Sequence, residues 1–177
     1  SSEEVLDTLR KLIEDLRRRA EEVLERTNRS TDELRKRVEK VLEETNRLIK
    51  KVEDDITRTE EAKTIIDKLR EDDERVKRRI ERVLEESKRK DEEVRKRVKD
   101  VLDRLREELK RLREENVPED MLREALERIK EIIDRLEREL EEWIKTNEDL
   151  VRRLTEDLER WLRTVAEILK RLKDEDD

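Results

Sequence analysis

Two aspartates, Asp73 and Asp91, fall on the apolar stripe of one helix-patterned segment, and the two tryptophans of the chain, Trp143 and Trp161, fall on the stripe of another. Carboxylates held away from water are the groups from which general acid–base and glycosidic chemistry is built. Exposed indoles can stack nucleic-acid bases. The dipeptides Thr27-Asn28 and Thr45-Asn46 add hydroxyl and amide groups, and Thr146 and Thr164 add two more hydroxyls. Each residue type recurs after 18 positions. Eighteen residues are about five turns of an ideal helix, so each type returns to the same face. The pattern reads as one constellation installed twice.

The spacing argues against reaction chemistry. Along one helix Asp73 and Asp91 are separated by about 27 Å, whereas the carboxylate pair of a glycosidase lies within about 10 Å. The chain contains no His and no Cys, and no Lys shares the stripe, so a nucleophile or base to work beside either Asp is lacking. Di-metal sites in helical bundles draw on Glu-x-x-His pairs, and hard cations need several converging oxygens; each constellation here offers about one carboxylate. No catalytic residue, metal or cofactor is therefore expected. Both Trp residues are in phase with the core, which removes them as exposed stacking platforms.

Charge and hydropathy narrow the partners. The chain carries 48 basic and 55 acidic residues, a net charge of −7, with the signs interleaved. Its basic runs do not exceed three residues, and Arg17 to Arg19, bracketed by Asp15 and by Glu21-Glu22, reads as a solvated helix face and not as a phosphate-tracking surface. No apolar run approaches the roughly 20 residues of a membrane span, and no signal-peptide pattern opens the sequence. Neither nucleic acid nor membrane is expected as a partner. A soluble protein without a natural compartment is expected, cytoplasmic when expressed in a host.

The elements that must position these residues follow from periodicity. Charged residues make up 58% of the chain and hydrophobic residues 31%, and Gly is absent; ordinary domains are roughly 25% charged. Such polarity suits either disorder or thin helices that each show one apolar stripe. The apolar positions decide. Val5, Leu9, Leu12/Ile13, Leu16 and Ala20 step by threes and fours, as do Ile66, Leu69, Val76 and Ile80 with Asp73 between Leu69 and Val76, and Leu122, Leu126, Ile129, Ile132/Ile133 and Leu136. This is helical amphipathicity sustained over some 50 residues. Ala20, Val38 and Ile56 lie 18 apart, a period near 3.6 that implies nearly straight helices where a strict heptad would supercoil.

Two breaks divide the pattern. At Asn116-Val117-Pro118, Asn tolerates a left-handed C-cap and Pro suits the start of a new helix. The other lies near Asp54 to Thr59, where Thr57-Arg58-Thr59-Glu60 fits a capping box. Helices are expected over about 2–56, 60–115 and 118–174. They form an all-α, up-down-up antiparallel three-helix bundle, a single elongated domain over 1–177 with helices about 80 Å long. Cap-forming residues at Ser30-Thr31, Ser87 to Asp91 and Thr146-Asn147 offer alternative breaks, but the apolar phase runs through each.

In an antiparallel hairpin, residues at one level have position numbers with a constant total. Thr27 with Asp91 and Thr45 with Asp73 both total 118, and half of that, 59, falls in the first break. Asp91 with Trp143 and Asp73 with Trp161 both total 234, and half of that, 117, falls in the proline turn. Thr, Asp and Trp from three helices thus share a layer, twice. An ionised Asp only accepts hydrogen bonds and an indole only donates, so such a set can satisfy itself. Asp91 is expected to accept from Trp143 and from Thr27 or Asn28, and Asp73 from Trp161 and from Thr45 or Asn46. Thr146 and Thr164 are expected to flank these sets, and Thr31, Ser87 and Asn147 to extend the central layer.

With its Glu, Lys, Arg and Leu dominance, absent Gly and Cys, minimal connections and polar sets repeated by translation, the whole chain resembles a de novo designed helical bundle carrying buried hydrogen-bond networks. The resemblance implies a hyperstable structural scaffold without substrate, cofactor or partner, monomeric, in which polar core groups set helix register. The alternative is an interaction or self-assembly module of spectrin-like three-helix type, for which Leu150, Ala166 and Ala125 beside the main stripe of helix 3 are the candidate contact residues.

Overall fold

The computed structural model describes residues 1–56 and 59–176. Three helices account for nearly all of them: α1 (Ser2–Asp55), α2 (Glu60–Glu114) and α3 (Glu119–Asp176). They form an antiparallel up-down-up three-helix bundle. Each helix runs unbroken past the cap-forming residues near its middle, because no Gly or Pro interrupts the hydrogen-bond ladder there and the apolar phase never slips.

The connections are short and locally determined. Asn116 takes a left-handed conformation, with φ of 50°, which ends α2 just before Pro118. The side-chain amide makes Asn the non-Gly residue best suited to that region. Pro118 gives up no bond at the start of α3, and its carbonyl accepts from the Leu122 amide at 3.0 Å. At the first connection the Ala62 amide donates to Thr59 Oγ1 at 3.1 Å. The cap of α2 is therefore Thr59 with Ala62, two residues on from the expected Thr57–Glu60 box; Thr57 and Arg58 lie outside the described residues.

The contacts group into two compact units. One comprises Ser1–Arg29 and Lys88–Asn147; the other comprises Ser30–Ser87 with α3 from Glu148 onward. The first unit has one continuous core, from Val5, Leu9 and Leu16 on α1 through Leu102 and Leu109 on α2 to Ile129, Leu140 and Trp143 on α3. The second unit has two apolar clusters. Leu34, Val38, Ile80 and Leu158 belong to one; Ile49, Ile66, Leu69 and Val165 belong to the other. Burying each such side chain stabilises the fold by about 1.5–3 kcal/mol against an unfolded chain.

Two positions depart from the apolar pattern. Ile132 and Ile133 both read as core, but adjacent residues on a helix diverge by about 100°, and only one of the pair can face inward. Ile133 is buried and Ile132 is 40% exposed. Conversely Ala125, expected beside the stripe, is buried in the core.

Candidate functional site: two buried polar layers

Within the first unit, Thr27 on α1, Asp91 on α2 and Trp143 on α3 meet. The Thr27 hydroxyl oxygen lies 2.7 Å from Asp91 Oδ1, and the Trp143 indole N–H donates to the same oxygen at 3.0 Å. Within the second unit the arrangement recurs. Thr45 Oγ1 lies 2.7 Å from Asp73 Oδ1, and Trp161 Nε1 donates to that oxygen at 2.8 Å. The second layer separates the two apolar clusters of its unit: Thr45 falls between Leu42 and Ile49 on α1, and Asp73 between Leu69 and Val76 on α2.

Each Thr hydroxyl has a second acceptor on its own helix. Thr27 Oγ1 is 3.1 Å from the Leu24 carbonyl oxygen, and Thr45 Oγ1 is 3.0 Å from that of Leu42. One hydroxyl proton serves one acceptor at a time, and a charged carboxylate makes the stronger bond. The helical carbonyl is the fallback if the carboxylate is removed. Among the described residues no buried side-chain nitrogen or oxygen lacks a hydrogen-bond partner.

The two layers are chemically equivalent but differently hydrated. Asp73 is 4% exposed and Trp161 half-buried; Trp143 is 6% exposed and Asp91 half-buried. Asp91 also turns Oδ2 toward the guanidinium of Arg95, one helical turn on, at 3.8 Å. Water therefore reaches the first layer through its carboxylate and the second through its indole. The identity of Arg95 as a neighbour was readable in the sequence, since an Asp and an Arg four apart share a helix face.

The amides expected as alternative donors are not used. Asn28 and Asn46 are exposed. Each lies one position past its Thr, about 100° around the helix, so Thr27 and Thr45 alone face the carboxylates. Thr146 is exposed, and the Thr164 hydroxyl donates to the Arg160 carbonyl at 2.8 Å on its own helix, so neither extends a layer. Of the central set, Ser87 and Asn147 are buried and Thr31 is half-buried.

One oxygen of each Asp, Oδ1, is held between a hydroxyl and an indole. Among the described residues no group of three or more His, Cys, Asp or Glu converges to hold a metal ion, and no helix is long and apolar enough to cross a membrane.

Around these layers the surface is laced with ion pairs within and between helices. The Arg70 guanidinium grips both carboxylate oxygens of Glu53, at 2.6 and 3.1 Å. Arg37 meets Glu159 at 2.6 Å and Arg97 meets Glu139 at 2.8 Å. Hydrogen bonds from Arg17, Arg47, Arg111 and Arg123 hold the carboxyls of Glu14, Glu44, Glu108 and Glu119, respectively, below the ordinary carboxylate range.

The fold and site thus define an all-α three-helix bundle with self-satisfied Thr–Asp–Trp layers. No family model, curated protein or solved structure matches the chain.

Proposed function

We propose that this chain is a de novo designed structural scaffold without biochemical activity, whose buried polar layers specify how its helices align. The observation that carries this reading is that one oxygen of each core carboxylate, Oδ1, accepts donors from both of the other helices. A catalytic Asp needs a lone pair and space for substrate; each of these has its Oδ1 engaged twice, and Asp73 sits between the two apolar clusters of its unit. A slip of any helix by one residue would rotate its polar group out of the layer by about 100°. It would strand a buried donor or acceptor at about 1–3 kcal/mol each. Apolar layers penalise such slips far less, since Leu and Val repack with neighbours of similar size.

The test is to replace both layers by apolar residues, with Thr27 and Thr45 changed to Val and Asp73, Asp91, Trp143 and Trp161 changed to Leu. The expected variant melts at or above the parent temperature, because a well-packed apolar replacement of buried polar groups is often stabilising. Its amide NMR spectrum is expected to broaden or multiply, as several helix alignments become populated. A single sharp set of amide resonances at unchanged stability would show that the layers do not specify alignment, and the reading would fall.

A further inference from the structure

Ser30-Thr31, Ser87 and Thr146-Asn147 are cap-forming residues that end no helix here; each lies inside an unbroken one. They sit in the longest stretch of each helix without an apolar residue, 25–33 on α1, 85–93 on α2 and 145–149 on α3. The helical phase continues there through Thr27, Thr31, Ser87, Asp91 and Asn147, but its side chains are polar. The same stretches contain the three points at which the chain divides into its compact units, after Arg29, after Ser87 and after Asn147.

These residues suit both the start and the end of a helix. Ser30 and Glu33 have the spacing of a capping box, which would open the second unit's share of α1. Asn147, followed by Glu148 and Asp149, supplies the N-cap and acidic first turn that would open that unit's share of α3. Ser87 suits the N-cap of the first unit's share of α2, and Asn147 suits equally the C-cap of its share of α3. A helix that ends at the division therefore has partners for its terminal backbone groups. Packed blocks joined by buried apolar surface open together, and blocks without it open separately.

We infer that the chain opens by units and not as a whole: each unit unfolds as a block while the other keeps its helices, and the second unit opens the more readily. The ordering follows from the two cores. Among the described residues, 19 buried apolar side chains of the first unit form one cluster, and Trp143 of its polar layer belongs to it. Those of the second unit fall into two clusters of 8 each, with the buried carboxyl of Asp73 between them. A carboxyl withdrawn from water weakens the core around it even when it is hydrogen-bonded. Asp91 keeps part of its side chain in water. Each unit holds one of the two tryptophans, so opening of the second unit frees Trp161 from Asp73 and leaves Trp143 on Asp91.

The test is amide hydrogen exchange of the full chain, read by NMR under conditions in which rates follow the opening equilibrium. Two sets of core amides are compared: 9–20, 98–109 and 126–140 in the first unit, and 38–52, 66–80 and 154–168 in the second. In the parent chain the second set is expected to exchange as a block, at least about tenfold faster than the first. Leu158→Ala, in a cluster of the second unit, should speed the second set by on the order of thirtyfold or more and leave the first within about twofold. Leu16→Ala, in the core of the first unit, should do the reverse. The ordering is read from the parent chain alone, so it does not depend on how well either variant folds. A first set that exchanges as fast as the second or faster, or either variant speeding both sets alike, would overturn the inference. None of these outcomes touches the role of the buried layers in helix alignment.

Discussion

Asp73 and Asp91 stand 18 positions apart on α2, and each receives a threonine hydroxyl and a tryptophan indole on a single oxygen, Oδ1. The geometry repeats to within a few tenths of an ångström, yet the surroundings differ. Asp73 is buried with a partly buried Trp161, whereas Asp91 keeps 15% of its side chain exposed beside a buried Trp143. Which member of a layer meets water governs how it tolerates damage.

Thr45→Val leaves a buried carboxylate with the indole as its one named donor. Thr27→Val leaves a carboxylate that reaches water and lies 3.8 Å from Arg95. The first substitution is expected to destabilise the protein by about 2–3 kcal/mol and the second by about 1 kcal/mol, on the usual cost of depriving a buried acceptor against a hydrated one. Urea unfolding curves of the two variants measure the difference. Equal losses would mean that solvent reaches both carboxylates alike.

The two connections carry separate backbone signals. Thr59→Ala removes the acceptor for the Ala62 amide and should cost about 1 kcal/mol, a typical N-cap value. Asn116→Gly should hold or raise stability by up to about 1 kcal/mol, since Gly enters the left-handed region without a Cβ penalty, while Asn116→Val should lower it. Thermal melts of the three variants give the ordering Gly, parent, then Val and Ala together below.

The surface carboxylates held by arginine give a definite sign to the pH dependence. The folded Glu108 carboxyl lies below the ordinary value of 4.5, chiefly through its hydrogen bond from Arg111. In the unfolded chain that bond is gone and the proton binds more readily. Above the ordinary value both states are ionised and the stabilisation is fully present; it is lost as pH falls through the folded value. Glu108→Gln should therefore lower the melting temperature slightly at pH 7 and leave it unchanged in strong acid, an exposed pair being worth little. A difference that grew toward acid would reverse the sign and contradict the pairing.

Much of this was legible in the residues themselves. The helix period placed Thr27, Thr45, Asp73, Asp91, Trp143 and Trp161 on core faces, and the constant position totals around 59 and 117 put them at common levels. What the pattern left open were questions of angle and access. Thr27 and Asn28 are adjacent, and only the direction of each side chain separates donor from bystander. Ile132 beside Ile133 and Ala125 beside its stripe pose the same problem, since the crossing of α2 and α3 decides which side chain is covered. The division of contacts into two units is likewise a property of packing across helices that are each continuous in sequence. At the first turn Thr57 and Thr59 both suit a cap; helix α2 starts after Thr59 because Ala62, three residues on, supplies the amide.

The central claim is that two indole N–H groups are locked onto the carboxylates of Asp73 and Asp91, and indole hydrogen exchange followed by nitrogen-correlated NMR tests it most directly. With two tryptophans in the chain, two indole resonances are expected, each exchanging far more slowly than a free indole. Trp143, the more buried, should be the slower. Asp91→Leu should speed exchange at Trp143 and spare Trp161, and Asp73→Leu should do the reverse. Two indoles that exchange at the free rate in the parent protein would contradict the account.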